Sequence, residues 1–320
     1  MTEPLLVVDN LKVYYYTLTG IVKAVDGVSF SVPGSELAAV VGESGSGKTT
    51  LGYSILGLIP PPGRRVSGRI LIDNVDITSL HGEALRRARG ELVSMVFQNP
   101  FTTLDPVRRV GDQVVEVMTE HGVPKDEAWR RAEEIFTKLG LPPRLLKAYP
   151  HQLSGGQRQR VAIAAAVALN PKLVVADEPT TALDVIVQEQ IMELLDSLRR
   201  QGMTIMLITH DIALAATWAT KVIVMYAGTL VEYGSVEEVV GEPLHPYTRG
   251  LINATPSVDR KDRPKSIPGL PPDLRRPPPG CRFHPRCPYA MDKCRKEPPT
   301  LIEASPGHYV SCHLYTEGRR

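Results

Sequence analysis

Residues 37–55 read LAAVV-GESGSGKTT-LGYSI, and this stretch constrains the fold more than any other. A five-residue apolar run suits a strand buried on both faces. It leads directly into Gly42-Glu43-Ser44-Gly45-Ser46-Gly47-Lys48-Thr49, a full match to GxxxxGK[ST]. The residues after Thr50 return to helical apolar spacing. Strand, glycine loop and helix form the setting a phosphate loop requires. Its glycines let backbone N–H groups turn inward around phosphate oxygens. The helix adds the positive end of its dipole. In this motif Lys48 reaches the β- and γ-phosphates and Thr49 ligates Mg²⁺. An incidental glycine turn is the plainer reading, and both flanks argue against it. The motif alone specifies a nucleotide binder, because kinases, GTPases and motors share it.

The rest of the first 240 residues alternates strands and helices. LLVVDNLKVYYY and AVDGVSFSV have the β-branched and aromatic composition of strands. KLVVADEP, TIMLITH and KVIVMYAG are further strands, and VIVQEQIMELLDSLRRQG is an amphipathic helix closed by Gly202. VEVMTEHG and DEAWRRAEEIFTKLG give residues 83–150 a mainly helical character. Alternation of this kind predicts an α/β fold with a mostly parallel sheet.

A second candidate anion site is LSGGQRQR, where Ser154 caps a helix beginning Gly155-Gly156-Gln157. Taken alone it is an adequate plain helix cap. Together with Lys48 and LVVADEPTTALD it resembles the ATPase subunits of ATP-binding cassette (ABC) transporters, over roughly Leu5 to Gly234 and in the family's order. The resemblance implies an ABC-type P-loop cassette with an antiparallel β subdomain and a helical subdomain at about 100–165. It also implies a head-to-tail dimer, in which the phosphate loop of one subunit and the LSGGQ of another enclose each ATP.

Further roles follow from the same resemblance. Asp177 ends an apolar strand and would hold Mg²⁺ with Thr49 and Gln98. Glu178 would be the general base for the attacking water. Gln98 in VFQNP resembles the glutamine that senses the γ-phosphate, and His210 in LITHD resembles the switch histidine. Asp184 in TALD resembles the aspartate at the dimer seam. Tyr15 in KVYYY is the candidate to stack on adenine, on the strand face opposite Tyr14 and Tyr16. No catalytic position is lost, so ATP hydrolysis is expected.

The C-terminal part is different. It holds 15 of the 28 prolines from Pro243 onward. Residues 241–320 carry 14 Lys+Arg against 8 Asp+Glu, whereas residues 1–240 carry 23 against 27. Both shifts place a boundary near 240, giving a cassette at 1–240 and an extension at 241–320. Poor apolar periodicity makes the extension a separately packed appendage, short of core. It also holds all four cysteines, Cys281, Cys287, Cys294 and Cys312, spaced C-x5-C-x6-C-x17-C. Zinc-type C-x2-C pairs and ferredoxin spacings are absent. Sequence physics therefore leaves one metal site of unspecified metal, or free or disulfide-bonded thiols. PLHPYTRGLINATPSV, PGLPPDL and the cysteine segment resemble the ATPase subunits of dipeptide, oligopeptide and nickel importers. That resemblance implies a [4Fe–4S] cluster on the four cysteines. Zinc is the alternative, with His284 and His313 as neighbours. Such a group would supply the folding energy that the extension lacks.

No apolar run reaches the roughly 20 residues a bilayer helix needs, and the N-terminus lacks signal-peptide character. The resemblance implies a peripheral subunit on the cytoplasmic face of the membrane. Its expected partners are a second, related ABC ATPase chain, two membrane permease subunits and an extracytoplasmic solute-binding protein, with no nucleic acid. The expected function is ATP-driven uptake of di- or oligopeptides. Oligosaccharide or nickel cargo is the alternative, and a soluble ABC ATPase acting on DNA or ribosomes is a distant one. One cassette without sustained heptads speaks against the latter.

Overall fold

The computed structural model describes residues 3–99, 103–255 and 265–316. The chain divides into two compact units, one of residues 1–5, 33–35 and 72–207, the other of residues 6–32, 36–71 and 208–320.

The unit built on 72–207 contains β5 (Val75–Asp76), α2 (Gly82–Glu91), β6 (Val93–Val96), α3 (Val110–Glu120), α4 (Lys125–Lys138), α5 (Gly155–Val167), β7 (Leu173–Asp177) and α6 (Val185–Arg200), and most of β8 (Thr204–Thr209). β6 and β7 pair in parallel, from Val93 opposite Leu173 to Val96 opposite Ala176. All five residues of β7 are buried, as the unbroken apolar run requires. α4 buries Ala128, Ala132 and Phe136, one per turn, with Asp126 and Glu127 at its positive end and Lys138 at its negative end. α6 buries Ile191, Met192 and Leu195 on one stripe and finishes with Arg199 and Arg200.

The other unit has two sheets. β1 (Pro4–Thr17), β2 (Gly20–Pro33) and β4 (Gly63–Ile72), which lie almost wholly in it, pair in the order β2-β1-β4. In β1 the buried positions move from Leu6 and Val8 to Leu11 and Val13. The change of parity falls at Asn10, whose φ is +45°, the mark of a local bulge. The second sheet joins β3 (Leu37–Val41) in parallel to β9 (Lys221–Tyr226), from Ala38 opposite Lys221 to Val41 opposite Val224. β10 (Thr229–Ser235) and β12 (His308–Val310) continue it antiparallel, and β11 (Ile302–Ser305) closes the edge. Helices α1 (Lys48–Ile55), α7 (Ile212–Trp218), α8 (Pro246–Ala254) and α9 (Asp292–Lys296) complete the unit. The fold is α/β, with parallel pairing at its centre and antiparallel strands added beside it.

Residues from 241 onward share a compact unit with the phosphate loop. Tyr226 of β9 meets Tyr247 and Phe283 at ring-centroid distances of 4.6 and 5.1 Å, and Tyr247 meets Phe283 at 5.4 Å. Glu232 of β10, fully buried, accepts the N–H groups of Leu244 and His245 and faces His308 Nε2 at 2.9 Å. A few large side chains, and no periodic apolar face, fasten this segment. Periodicity is therefore the wrong signal for it.

Candidate functional site

The phosphate loop joins β3 to α1. Gly42 has φ +155° and Gly47 φ +100°; a Cβ on Gly42 would come within 2.2 Å of Met225 O, and one on Gly47 within 2.1 Å of Ala24 O. Both the turn and the close backbone approach thus exclude a side chain. Gly45, with φ +76°, faces open space, and Ser44 is exposed. Lys48 is buried and donates to Gly42 O at 2.7 Å and Glu43 O at 3.0 Å. α1 begins after Gly47 with no side-chain cap. Its first N–H groups meet the requirement for an anion in place of a capping residue. Ser46 Oγ is buried and has no hydrogen-bond partner among the described residues. Thr49 and Thr50 lie in the first turn, and Tyr15 Oη is 3.4 Å from Thr50 Oγ1. This donor set fits a polyphosphate. In the same unit, exposed His210 follows β8 directly and precedes Asp211, which caps α7.

The 72–207 unit groups the carboxylates. Asp177 ends β7 at 1% exposure. Glu178 has φ +45°, rare for a residue with a side chain and often a mark of a functional position. Its carboxylate Oε2 accepts from Gln98 Nε2 at 2.8 Å and from Thr181 Oγ1 at 3.1 Å. Residues 98 and 178, far apart in sequence, are thus brought together. Ser154 caps α5 with a reciprocal box: Gln157 N donates to Ser154 Oγ and Ser154 N to Gln157 Oε1. Asp184 caps α6 through Val187 N at 3.0 Å. A Cβ on Gly156 would lie 2.7 Å from Val187 Cγ1, and one on Gly155 3.3 Å from Leu183 Cδ2. The two helix starts therefore abut, and the paired glycines make that contact possible.

The four cysteines carry no disulfide. Burial pushes the Cys281 thiol up to about 12 and the Cys312 thiol up to about 11, and neighbouring thiols add to both shifts. Backbone N–H groups of Phe283, Tyr289 and Leu314 bond Cys281, Cys287 and Cys312 respectively, each from two residues ahead, and favour the thiolate. The thiols therefore share one neighbourhood. Among the described residues, however, no group of three or more His, Cys, Asp or Glu side chains is arranged to hold a metal ion. His284 Nδ1 is engaged with Cys281 O and His313 Nε2 with Glu297 O, which leaves the opposite ring nitrogen of each unassigned.

Sequence reasoning missed Tyr247, Arg282 and Arg286. Arg282 pairs with Asp26, which also accepts from Tyr14 Oη at 2.6 Å. Arg286 holds the Glu43 carboxylate with both terminal nitrogens. The available signal was the excess positive charge beyond residue 241 and an acidic residue inside the phosphate loop.

Residues 25–181 match the ABC transporter family model, and residues 231–294 match that of the oligopeptide/dipeptide transporter C-terminal region. The oligopeptide transport ATP-binding protein AppD of Bacillus subtilis is 46% identical, over 98% of this chain and 97% of its own. OppD of Escherichia coli, also an oligopeptide transport ATP-binding protein, is 44% identical over 97% and 93%. Among solved structures, cbiO1 of the ABC transporter complex cbiONQ from Clostridium perfringens superposes with a TM-score of 0.66 at 31% identity, over 75% of this chain and 92% of that one. A dimeric ABC cassette in a post-hydrolysis state with ADP and Pi gives 0.63 at 31%, over 72% and 98%. With near-complete coverage at this identity, and a phosphate loop, LSGGQ helix and carboxylate pair all in place, the chain belongs to the ABC transporter ATP-binding proteins that carry the oligopeptide/dipeptide transporter C-terminal region.

Proposed function

We propose that this chain is the ATP-hydrolysing subunit of an importer that takes up di- or oligopeptides through separate permease subunits. The observation that carries the chemistry is the 2.8 Å bond between Gln98 Nε2 and Glu178 Oε2 beside buried Asp177. It orients a carboxylate at the end of an apolar strand, where it can take a proton from water. Lys48 and the N–H groups at the start of α1 bind the β- and γ-phosphates. Thr49, Asp177 and Gln98 would hold Mg²⁺, which when bound neutralises charge on the phosphate oxygens. Tyr15 stacks on adenine, and His210 contacts the γ-phosphate. Ser154, Gly155, Gly156, Gln157 and Asp184 face the nucleotide held by a second, related ATPase chain. Closure on ATP and reopening after hydrolysis move the permeases.

No helix among the described residues is long and apolar enough to cross a membrane. The reading therefore includes two permeases and a solute-binding protein outside the cell, with this chain peripheral on the cytoplasmic face. Its direct test is Glu178→Gln in the assembled transporter: ATP still binds, hydrolysis falls at least about 100-fold, and the dimer accumulates closed. Near-normal turnover would remove Glu178 from the base role.

We also propose a [4Fe–4S] cluster on Cys281, Cys287, Cys294 and Cys312. Shared surroundings and three N–H···S bonds support it, and a four-iron cube spreads its thiolates more widely than one zinc ion does. Anaerobically purified protein should be brown, with about four irons per chain. Colourless protein with stoichiometric zinc, or with four freely alkylated thiols, would refute it.

A further inference from the structure

Glu43, the second residue of the phosphate loop, is held at every polar group. Its N–H donates to Tyr247 Oη at 2.8 Å, and its C=O accepts from Lys48 Nζ at 3.0 Å. Its carboxylate receives Arg286 Nη1 at 2.7 Å and Nη2 at 3.0 Å. Tyr247 is fully buried and the Arg286 side chain is 5% exposed. Arg286 is itself aimed: its Nε donates to Pro268 O at 2.8 Å, and its guanidinium carbon lies 5.7 Å from the Tyr226 ring centre. Such a fork is rigid, and its guanidinium is shielded from water while the Glu43 side chain is 26% exposed. The peptide it fixes is one of the two whose carbonyls seat the Lys48 ammonium. Displacing Glu43 therefore displaces the cation that meets the phosphates.

We infer that Arg286 is a positioning residue for nucleotide binding: with Tyr247 it holds Glu43 so that the phosphate loop is pre-shaped for ATP. The inference rests on the nucleotide-binding reading above. It gives the cysteine segment, in which Arg286 directly precedes Cys287, a task at the phosphate loop. A loop ordered beforehand need not be ordered on binding, so loss of the clamp appears as lost affinity.

The test is an equilibrium titration of the full chain with a fluorescent ATP analogue and Mg²⁺, with unfolding midpoints taken alongside. Arg286→Gln should raise Kd about tenfold. Arg286→Lys, which keeps charge without the fork, should fall between it and wild type. Glu43→Gln should weaken binding similarly, and the double variant should be no worse than the weaker single, because both act through one contact. Tyr247→Phe should weaken binding by less. Unchanged affinity in folded Arg286→Gln, or additive losses in the double variant, would overturn the inference. If Arg286→Gln does not fold, unchanged affinity in Glu43→Gln overturns it from the loop side. A wild-type chain that binds no nucleotide analogue would instead overturn the reading on which it rests.

Discussion

Both units carry exposed ion pairs, such as Arg69 with Asp9 and Arg275 with Asp273 in the second, but they differ in where their sheltered pairs lie. In the 72–207 unit the ion pairs lie mainly in water: Arg86 and Arg87 with Glu83, Arg108 with Glu116, Arg131 with Glu127, and Lys172 with Asp73. Asp196, held by Arg199 and Arg200, is the more sheltered exception. In the unit containing the phosphate loop, the pairs that fasten the C-terminal segment are sheltered. Arg282 and Asp26 have side chains 10% and 18% exposed, and Arg286 and Glu43 have 5% and 26%. Exposed pairs contribute little to stability because water and salt already screen them. A sheltered pair contributes through what its loss would leave behind, a lone charge without solvent. The helices of the first unit are thus secured by their apolar stripes, and the C-terminal segment of the second by a few polar contacts that admit no substitute.

The largest expected effect is at Arg282. Burial already pulls its pKa below the usual range, and Asp26 opposes that. Arg282→Met leaves the sheltered Asp26 carboxylate without its cation, with only Tyr14 Oη still donating to it, and should cost about 3 kcal/mol in urea unfolding. A cost below about 1 kcal/mol would erase the contrast between the units.

Next is His245, fully buried, whose pKa burial and the charge of Arg249 lower to about 3. Its Nδ1 accepts from Tyr247 N, and its own N–H donates to Glu232. Below pH 6.5 the unfolded chain takes up a proton that the folded chain refuses until about pH 3. Stability therefore rises with pH across that window and is lost as pH falls. Between pH 6.5 and 5 the loss should be about 2 kcal/mol. His245→Asn, which keeps an acceptor for Tyr247 N, should show a slope flatter by that amount. Equal slopes would place the imidazole in contact with solvent. The smallest effect should be at Arg131, where Arg131→Ala changes unfolding by no more than about 0.5 kcal/mol. A larger loss would show that exposed pairs in the helical unit form a network.

The phosphate loop was legible because everything it needs is local: β3, three glycines, Lys48 and the start of α1 are contiguous. The cap by Ser154 is also local, and its residue type gives it away; the Asp184 cap is equally local, but the resemblance marks that residue only as one at the dimer seam. The resemblance gives Gln98 and Glu178 separate roles at one nucleotide, but their direct contact is not anticipated, because no pattern in the chain pairs residues so far apart. The fastening of the C-terminal segment was not legible at all. Tyr247 and Glu43 lie 204 residues apart, and Arg286 and Glu43 lie 243 apart. A proline-rich stretch without a hydrophobic period was expected to need a metal for its folding energy. Besides the proposed cluster site, it buries Tyr247 and Phe283, single large side chains that leave no period to read.

The hairpin of β11 and β12 has a consequence for synthesis. β12 pairs along β10 at Glu232 and Tyr233, and Tyr309 stacks on Tyr233 at 5.7 Å. Until residues 302–310 leave the ribosome, β10 has a bare edge of backbone donors and acceptors, open to any other extended chain. The final strand of the sheet is thus a lid on its stickiest border. β11 outside it is four residues long and mostly exposed, with Glu303 among them, a poor template for further pairing. A nascent chain halted before residue 300 would carry an intact phosphate loop sequence and an unguarded sheet. Its hazard to the cell is self-association, which begins before any question of catalysis arises.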